Sequence, residues 1–290
     1  NAMRRVLEKE QPDLVLVHGD TTTTFAASLA AFYQQIPVGH VEAGLRTYEK
    51  YAPFPEEMNR QLTGVLADYH FAPTEQAAMN LRAENKQTPI IVTGNTVIDA
   101  LKTTVSPTYT HPVLTRLEKS GRKLVLLTVH RRENHLQLAT IFDAIERLAN
   151  EHPEIEIVYP VHPNPVVLEA AARLEHHPRI QLIEPLDVFD FHNLAARASF
   201  ILTDSGGIQE EAPSLGVPVL VLRETTERPE GVEAGTLKLV GTNPEMIYEM
   251  SHRLLTDQEF YQSMAQAANP YGDGQAAERI VDAIMSEVPV

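Results

Sequence analysis

The sequence holds 290 residues, 43% of them hydrophobic. A single core usually stops growing at about 250 residues, so two lobes are expected. Acidic residues outnumber basic ones 39 to 24, giving a formal charge of -15 with the basic residues scattered, which argues against nucleic acid as a partner. The absence of cysteine excludes disulfides, thiol catalysis and the commonest zinc frameworks, and none of the 12 histidines forms a His-Glu-x-x-His pair, so no metal is expected. No apolar run approaches the roughly 20 residues of a membrane span and no secretory signal opens the chain, so a cytoplasmic protein without a membrane partner is expected.

In chain order, Asn1-Ala2-Met3 reads as a tag remnant before an initiator methionine, with the pattern behind it starting in mid-helix. Apolar runs predict strands at 13–18, 38–42, 69–72 and 90–93, alternating with helices at 23–34, 56–67, 74–84 and 96–103. Thr74 and Asn95 suit helix N-caps, and Pro55 suits a first helical turn. Residues 104–121, with Ser106-Pro107, His111-Pro112 and Ser120-Gly121, read as a connector. The alternation resumes with strands at 123–130, 155–161, 180–184, 200–203, 217–222 and 237–240, and turns helical after Met250. Asn269-Pro-Tyr-Gly-Asp-Gly274 breaks the chain before a last helix over 276–287 that can return to the first lobe. The expected fold class is α/β with two Rossmann-like parallel-sheet lobes, 1–103 plus 271–290 and 104–270.

Charged residues gather at the ends of these strands, where open α/β sheets keep their ligands. Asp20 follows the first strand and Gly19, and is either the N-cap of the next helix or a catalytic carboxylate. Glu42 ends the second strand, where a carboxylate is costly unless paired or used. Glu56, Glu57 and Arg60 open a helix, with Glu56 and Arg60 spaced as an i, i+4 ion pair. Three carboxylates from consecutive elements that converge raise one another's pKa and suit proton transfer.

In the second lobe, Ser205-Gly206-Gly207 precedes a helix and suits a phosphate, and Glu211 one turn on suits ribose hydroxyls. His130 and Arg131 in a cation-rich turn, and His162 at the next strand end, read as pyrophosphate contacts against surface charge as the plain alternative. His18 and His40 read as core histidines that satisfy internal hydrogen bonds.

Seven ordered stretches carry a resemblance: His18-Gly-Asp-Thr21, His40-Val-Glu-Ala-Gly-Leu-Arg46, Pro55-Glu-Glu-Met-Asn-Arg60, Val129-His-Arg-Arg-Glu-Asn134, Pro160-Val-His-Pro-Asn164, Asp204-Ser-Gly-Gly-Ile-Gln-Glu-Glu211 and Asn269-Pro-Tyr-Gly-Asp-Gly274. Together they resemble the non-hydrolysing UDP-N-acetylglucosamine 2-epimerases. That resemblance implies the glycosyltransferase-B architecture, with UDP held mainly by the second lobe and the sugar between lobes. It implies interconversion of UDP-GlcNAc and UDP-ManNAc for cell-wall polysaccharide synthesis, with no cofactor, and the chain has no Gly-x-Gly-x-x-Gly turn for NAD. It makes Asp20, Glu42 and Glu56 the acid/base carboxylates, His130 and Arg60 their site partners, and Ser205, Gly206, Gly207 and Glu211 the UDP-binding positions. It further implies a homodimer and UDP-GlcNAc as an allosteric activator.

The family begins with a strand and a Gly-Thr-Arg-Pro-Glu-type turn that this sequence lacks, so the first lobe is expected to be N-terminally truncated, with an exposed strand edge and impaired turnover. Two alternatives share many of these features: a glycosyltransferase of the same architecture, and a fragment that binds a UDP-sugar without turning it over.

Overall fold

The computed structural model describes residues 2–287, so the reading of Asn1 as a tag remnant lies outside the described residues. Two compact units form, residues 1–99 with 271–290, and residues 100–270.

In the first unit, α1 (Ala2–Glu10), β1 (Val15–His18), α2 (Thr22–Tyr33), β2 (Val38–Val41), α3 (Glu56–Leu66), β3 (Tyr69–Ala72), α4 (Glu75–Ala83) and β4 (Ile90–Val92) alternate along the chain. The strands make one parallel sheet in the order β1-β2-β3-β4, in a register that places Val17, His40 and His70 side by side. Thr21 caps α2 by accepting the Thr24 N–H at 3.4 Å, and Thr74 caps α4 by accepting the Ala77 N–H at 3.1 Å. Val17, Val38, Ala27 and Ala31 close one core between sheet and helices, while Ala72, Ala78 and Leu81 close another under α4. Next comes α5 (Thr96–Thr104), inside which the division between units falls, and Asn95 accepts the Val97 N–H at its start.

The second unit continues with α6 (Pro112–Ser120), β5 (Lys123–Thr128), a 3₁₀ turn at Arg132–Gln137, α7 (Leu138–Glu151), β6 (Ile155–Pro160), α8 (Pro165–Ala171) and β7 (Ile180–Ile183). After these come α9 (Val188–Ala195), β8 (Ala198–Thr203), α10 (Ile208–Ser214), β9 (Val219–Val221), α11 (Pro229–Ala234), β10 (Leu237–Leu239), α12 (Pro244–Thr256) and α13 (Gln258–Ala265). The stretch 104–121 is therefore not a plain connector. His111 accepts the Val113 N–H, Pro112 occupies the first turn, and Gly121 closes α6 in the left-handed region at φ 67°. His111-Pro112 and Ser120-Gly121 are this helix's own start and stop signals, while Ser106-Pro107 lies between α5 and α6.

Six parallel strands lie in the order β10-β9-β8-β5-β6-β7. Alternate residues of β5 serve opposite faces: Val125 and Leu127 join Phe142, Ile157 and Phe200 in one core, while Leu124 and Leu126 join Val158 and Ile201 in the other. Burial on both faces explains why β5 reads as an unbroken apolar run, with each such side chain contributing about 1.5–3 kcal/mol. From β5 the chain builds outward through β6 and β7, then returns to the other side of β5 with β8. Strand order reverses between β5 and β8, and ligands of such sheets bind beyond the carboxyl ends at that point.

The chain ends its described part with α14 (Ala276–Glu287), in the first unit. Asp99 accepts the N–H groups of Ala276 and Ala277 at 3.1 and 2.9 Å, and the Asn95 N–H donates to the Tyr271 carbonyl at 2.8 Å. Among the described residues no helix is long and apolar enough to cross a membrane.

Candidate active site

In the first unit the candidate residues sit at the carboxyl edge of the sheet. Because Thr21 caps α2, Asp20 faces elsewhere: its Oδ2 lies 3.4 Å from Nε of Arg60. Arg60 is only 1% exposed, and its Nη1 lies 3.8 Å from Oε2 of Glu57. From Glu56 it takes the main-chain carbonyl, Nε donating at 3.4 Å, so the expected i, i+4 pair is a side-chain to backbone contact. Glu56 itself is half-buried on the first turn of α3.

Glu42 falls one residue beyond β2, with φ at 64°. The left-handed region costs a residue with a side chain about 1 kcal/mol or more, and such conformations concentrate at functional sites. The turn swings the carboxylate back over the β1 end, where Oε2 lies 3.3 Å from Nε2 of His18. His40 Nε2–H donates to the Gly19 carbonyl at 2.8 Å, which fixes the turn that carries Asp20. Burial lowers the His40 pKa to about 4, against the opposing effect of that hydrogen bond, so the ring is neutral. The reading of His40 as a core histidine fits this geometry, whereas His18 is exposed beside Glu42.

Glu57, passed over among the sequence candidates, is fully buried. It accepts the N–H groups of Thr47 and Tyr48 at 3.0 and 3.1 Å and the Gln61 amide at 2.9 Å. One carboxylate thus ties the loop after β2 to α3 and supports Arg60. Its signal in the sequence was only its place beside Glu56.

In the second unit the residues gather at the β5/β8 switch point. Asp204, fully buried, accepts the N–H groups of His130 and Arg131 at 3.0 and 2.9 Å and the Asn134 amide at 3.0 Å. Two backbone N–H groups of the cation-rich turn are therefore spent on Asp204. His130 Nδ1 lies 3.4 Å from the same carboxylate, and its ring stacks on that of His162 with centroids 5.3 Å apart. Burial lowers the His130 pKa, Asp204 raises it and His162 lowers it again. His162 is exposed, and Arg131, with Nη2 3.8 Å from Glu227, is half-buried.

The turn Ser205-Gly206-Gly207 runs into α10, and the Ser205 N–H donates to Thr203 Oγ1 at 2.9 Å. Gly206 lies against an ion-pair network that the sequence reading missed. Arg228 hydrogen-bonds both Glu210 and Glu227, and Arg223 donates to Glu227 at 2.8 Å. A Cβ on Gly206 would sit 2.7 Å from Arg228 Nη1. The stretch 223–230 follows β9, so the strand-end rule that singled out Asp20 and Glu42 would have found it. Glu211 stands on α10, its side chain 17% exposed.

Residues 1–285 match the sequence model of the family described as UDP-N-acetylglucosamine 2-epimerase. A Bacillus subtilis protein named UDP-N-acetylglucosamine 2-epimerase is 63% identical over 278 residues, covering 95% of this chain and 73% of its own. Among solved structures, a Staphylococcus aureus MnaA complex with UDP superposes with TM-score 0.95 at 57% identity, covering 98% of this chain and 78% of that one. A Neisseria meningitidis UDP-GlcNAc 2-epimerase bound to UDP-GlcNAc does so with TM-score 0.93 at 49% identity, over 99% and 80% of the two chains. These likenesses give both parallel-sheet units the glycosyltransferase-B fold class.

Proposed function

The chain belongs to the UDP-N-acetylglucosamine 2-epimerase family, and on that premise we propose that it interconverts UDP-GlcNAc and UDP-ManNAc by eliminating UDP and adding it back. The C2 proton has no adjacent carbonyl to acidify it, so its removal is coupled to departure of the group on C1. A carboxylate takes the C2 proton, the C–H pair forms the C1=C2 bond of a 2-acetamidoglucal, and the C1–O pair leaves on the β-phosphate of UDP. Return delivers a proton to the other face of C2 while the phosphate oxygen rejoins C1.

On this reading the first unit supplies the acid/base groups Asp20, Glu42 and Glu56, with Arg60 acting from behind Asp20. The second unit binds UDP. His130, Arg131 and His162 present side chains to the diphosphate, the Ser205-Gly206-Gly207 turn lets it approach closely, and Glu211 takes the ribose hydroxyls. The observation that carries the proposal is the Asp20–Arg60 contact: the carboxylate that the motif marks as catalytic is held by a buried cation and is not a helix cap. The same reading includes a homodimer, and UDP-GlcNAc as activator as well as substrate.

Proton NMR of UDP-GlcNAc with this chain in D2O tests it. UDP-ManNAc carrying deuterium at C2 is the expected product. Line broadening of the ligand with no exchange at C2 would leave UDP-sugar binding without turnover, and transfer of GlcNAc to an added acceptor would favour a glycosyltransferase.

A further inference from the structure

Glu211 is approached at one carboxylate oxygen by a buried imidazole: Oε2 lies 3.4 Å from Nε2 of His192. His192, on α9, is 2% exposed, so no ligand reaches it. Its Nδ1 lies 2.7 Å from Oγ1 of Thr104 at the end of α5, and that oxygen is 3.0 Å from the Ala100 carbonyl. The next residue of α9, Asn193, donates to the Thr104 carbonyl at 2.7 Å and accepts the Ser106 N–H at 2.9 Å. Thr104 is therefore held in place under the imidazole.

The contacts give this arrangement a direction. Thr104 Oγ1 faces Nδ1, so Nε2 is the ring atom turned toward Glu211, whose Oε2 lies within ion-pair distance at 3.4 Å. A ring N–H is the polar group that His192 can offer to a carboxylate there.

We propose that His192, anchored by Thr104, is a positioning residue that locks the Glu211 carboxylate in the orientation that reads the ribose diol of the nucleotide. The inference rests on the reading of Glu211 as the ribose contact. His192 touches no substrate, and its effect passes through Glu211 alone. The ligand class whose binding it governs is a ribonucleoside diphosphate with both sugar hydroxyls present.

Calorimetric titration of the full chain with UDP, 2′-deoxy-UDP and 3′-deoxy-UDP tests this. A hydrogen bond to a charged group is worth about 10-fold or more in affinity, so the wild type is expected to prefer UDP over at least one deoxy analogue by that factor. Glu211→Gln is expected to lower the preference. His192→Leu is expected to bring it within about 3-fold of unity, whereas His192→Gln, whose amide can place a donor near the Nε2 position, keeps most of it. Thr104→Val, a smaller change that removes the Nδ1 partner together with its bond to the Ala100 carbonyl, gives an intermediate loss and serves if His192→Leu does not fold. A merely structural histidine would weaken all three ligands equally and leave the ratios intact, and that result overturns the proposal. Full preference in Glu211→Gln would instead overturn the ribose reading itself, and the positioning role with it.

Discussion

Arg60 reaches back from α3 to place its Nε 3.4 Å from Oδ2 of Asp20 while remaining 1% exposed, its Nη1 3.8 Å from the fully buried Glu57. On the proposed reading, this depth of burial suits Arg60 to orienting Asp20. Arg60→Met is expected to lower kcat by on the order of 10²-fold with little change in KM, because aligned general acid/base groups contribute about 10²–10⁴-fold. Removing the cation from beside buried Glu57 also costs about 3 kcal/mol, read as a lower thermal midpoint. A variant with raised KM and unchanged kcat would contradict the positioning role.

The buried carboxylate of Asp204 fixes the His130-Arg131 turn through two backbone N–H groups and sits 3.4 Å from the His130 ring. Asp204→Asn retains the shape, loses the charge and turns a donor toward those N–H groups. Two changes are expected: a stability loss of about 2–4 kcal/mol, and a further fall in the His130 pKa, since Asp204 is what raises it against burial. Titration of the His130 ring protons by NMR checks the second. A pKa that stays or rises would mean that the carboxylate does not act on that ring.

The sheets were legible because doubly covered parallel strands leave continuous apolar runs, as Leu124 to Leu127 do. Helix α6 was not, because Pro112 and Gly121 carry the same letters whether they end a helix or bound one. At the site, sequence spacing could not decide whether Asp20 was a cap or a catalytic group. That Asp20 is not the cap shows only in the fold, where Thr21 takes the cap and Arg60 arrives from α3. The stretch with Glu227 and Arg228 follows a strand end, but nothing local says that these charges pair with Glu210 and are buried against Gly206. Asp204 and His192 were hidden for a related reason: their partners lie many residues away, so their roles exist only in the folded chain.

Gly206 meets the Arg228 guanidinium so closely that a methyl group there would come within 2.7 Å of Nη1 and 3.0 Å of Glu227 Oε1. Either the ion pair or the turn must shift. Gly206→Ala is expected to weaken UDP binding at least 10-fold by calorimetry and to cost about 1–3 kcal/mol, the usual range for overpacking a filled site. Ser205→Ala, which adds no volume, is expected to leave stability within about 0.5 kcal/mol. Equal UDP affinity in Gly206→Ala and wild type would show that the turn does not face the nucleotide.

Acid should unfold the first unit through two histidines that cannot take up a proton where they are. His40 and His70 are fully buried neighbours across β2 and β3, and burial is the main cause that lowers their pKa values to about 4 and about 3. Neither nitrogen of the His70 ring has a hydrogen-bond partner. Above pH 6.5 both rings are neutral, folded or unfolded, and contribute no pH dependence. Below pH 6.5 the unfolded chain binds protons that the folded chain refuses, so stability falls with pH until the folded pKa is reached, near 4 for His40 and near 3 for His70. Each ring contributes a slope of up to about 1.4 kcal/mol per pH unit in that window. His70→Leu should remove about half of the combined slope between pH 6 and pH 4, measured by urea unfolding at a series of pH values, while leaving the Gly19–His40 hydrogen bond and its turn in place. An unchanged slope in that variant would place the acid sensitivity elsewhere in the chain.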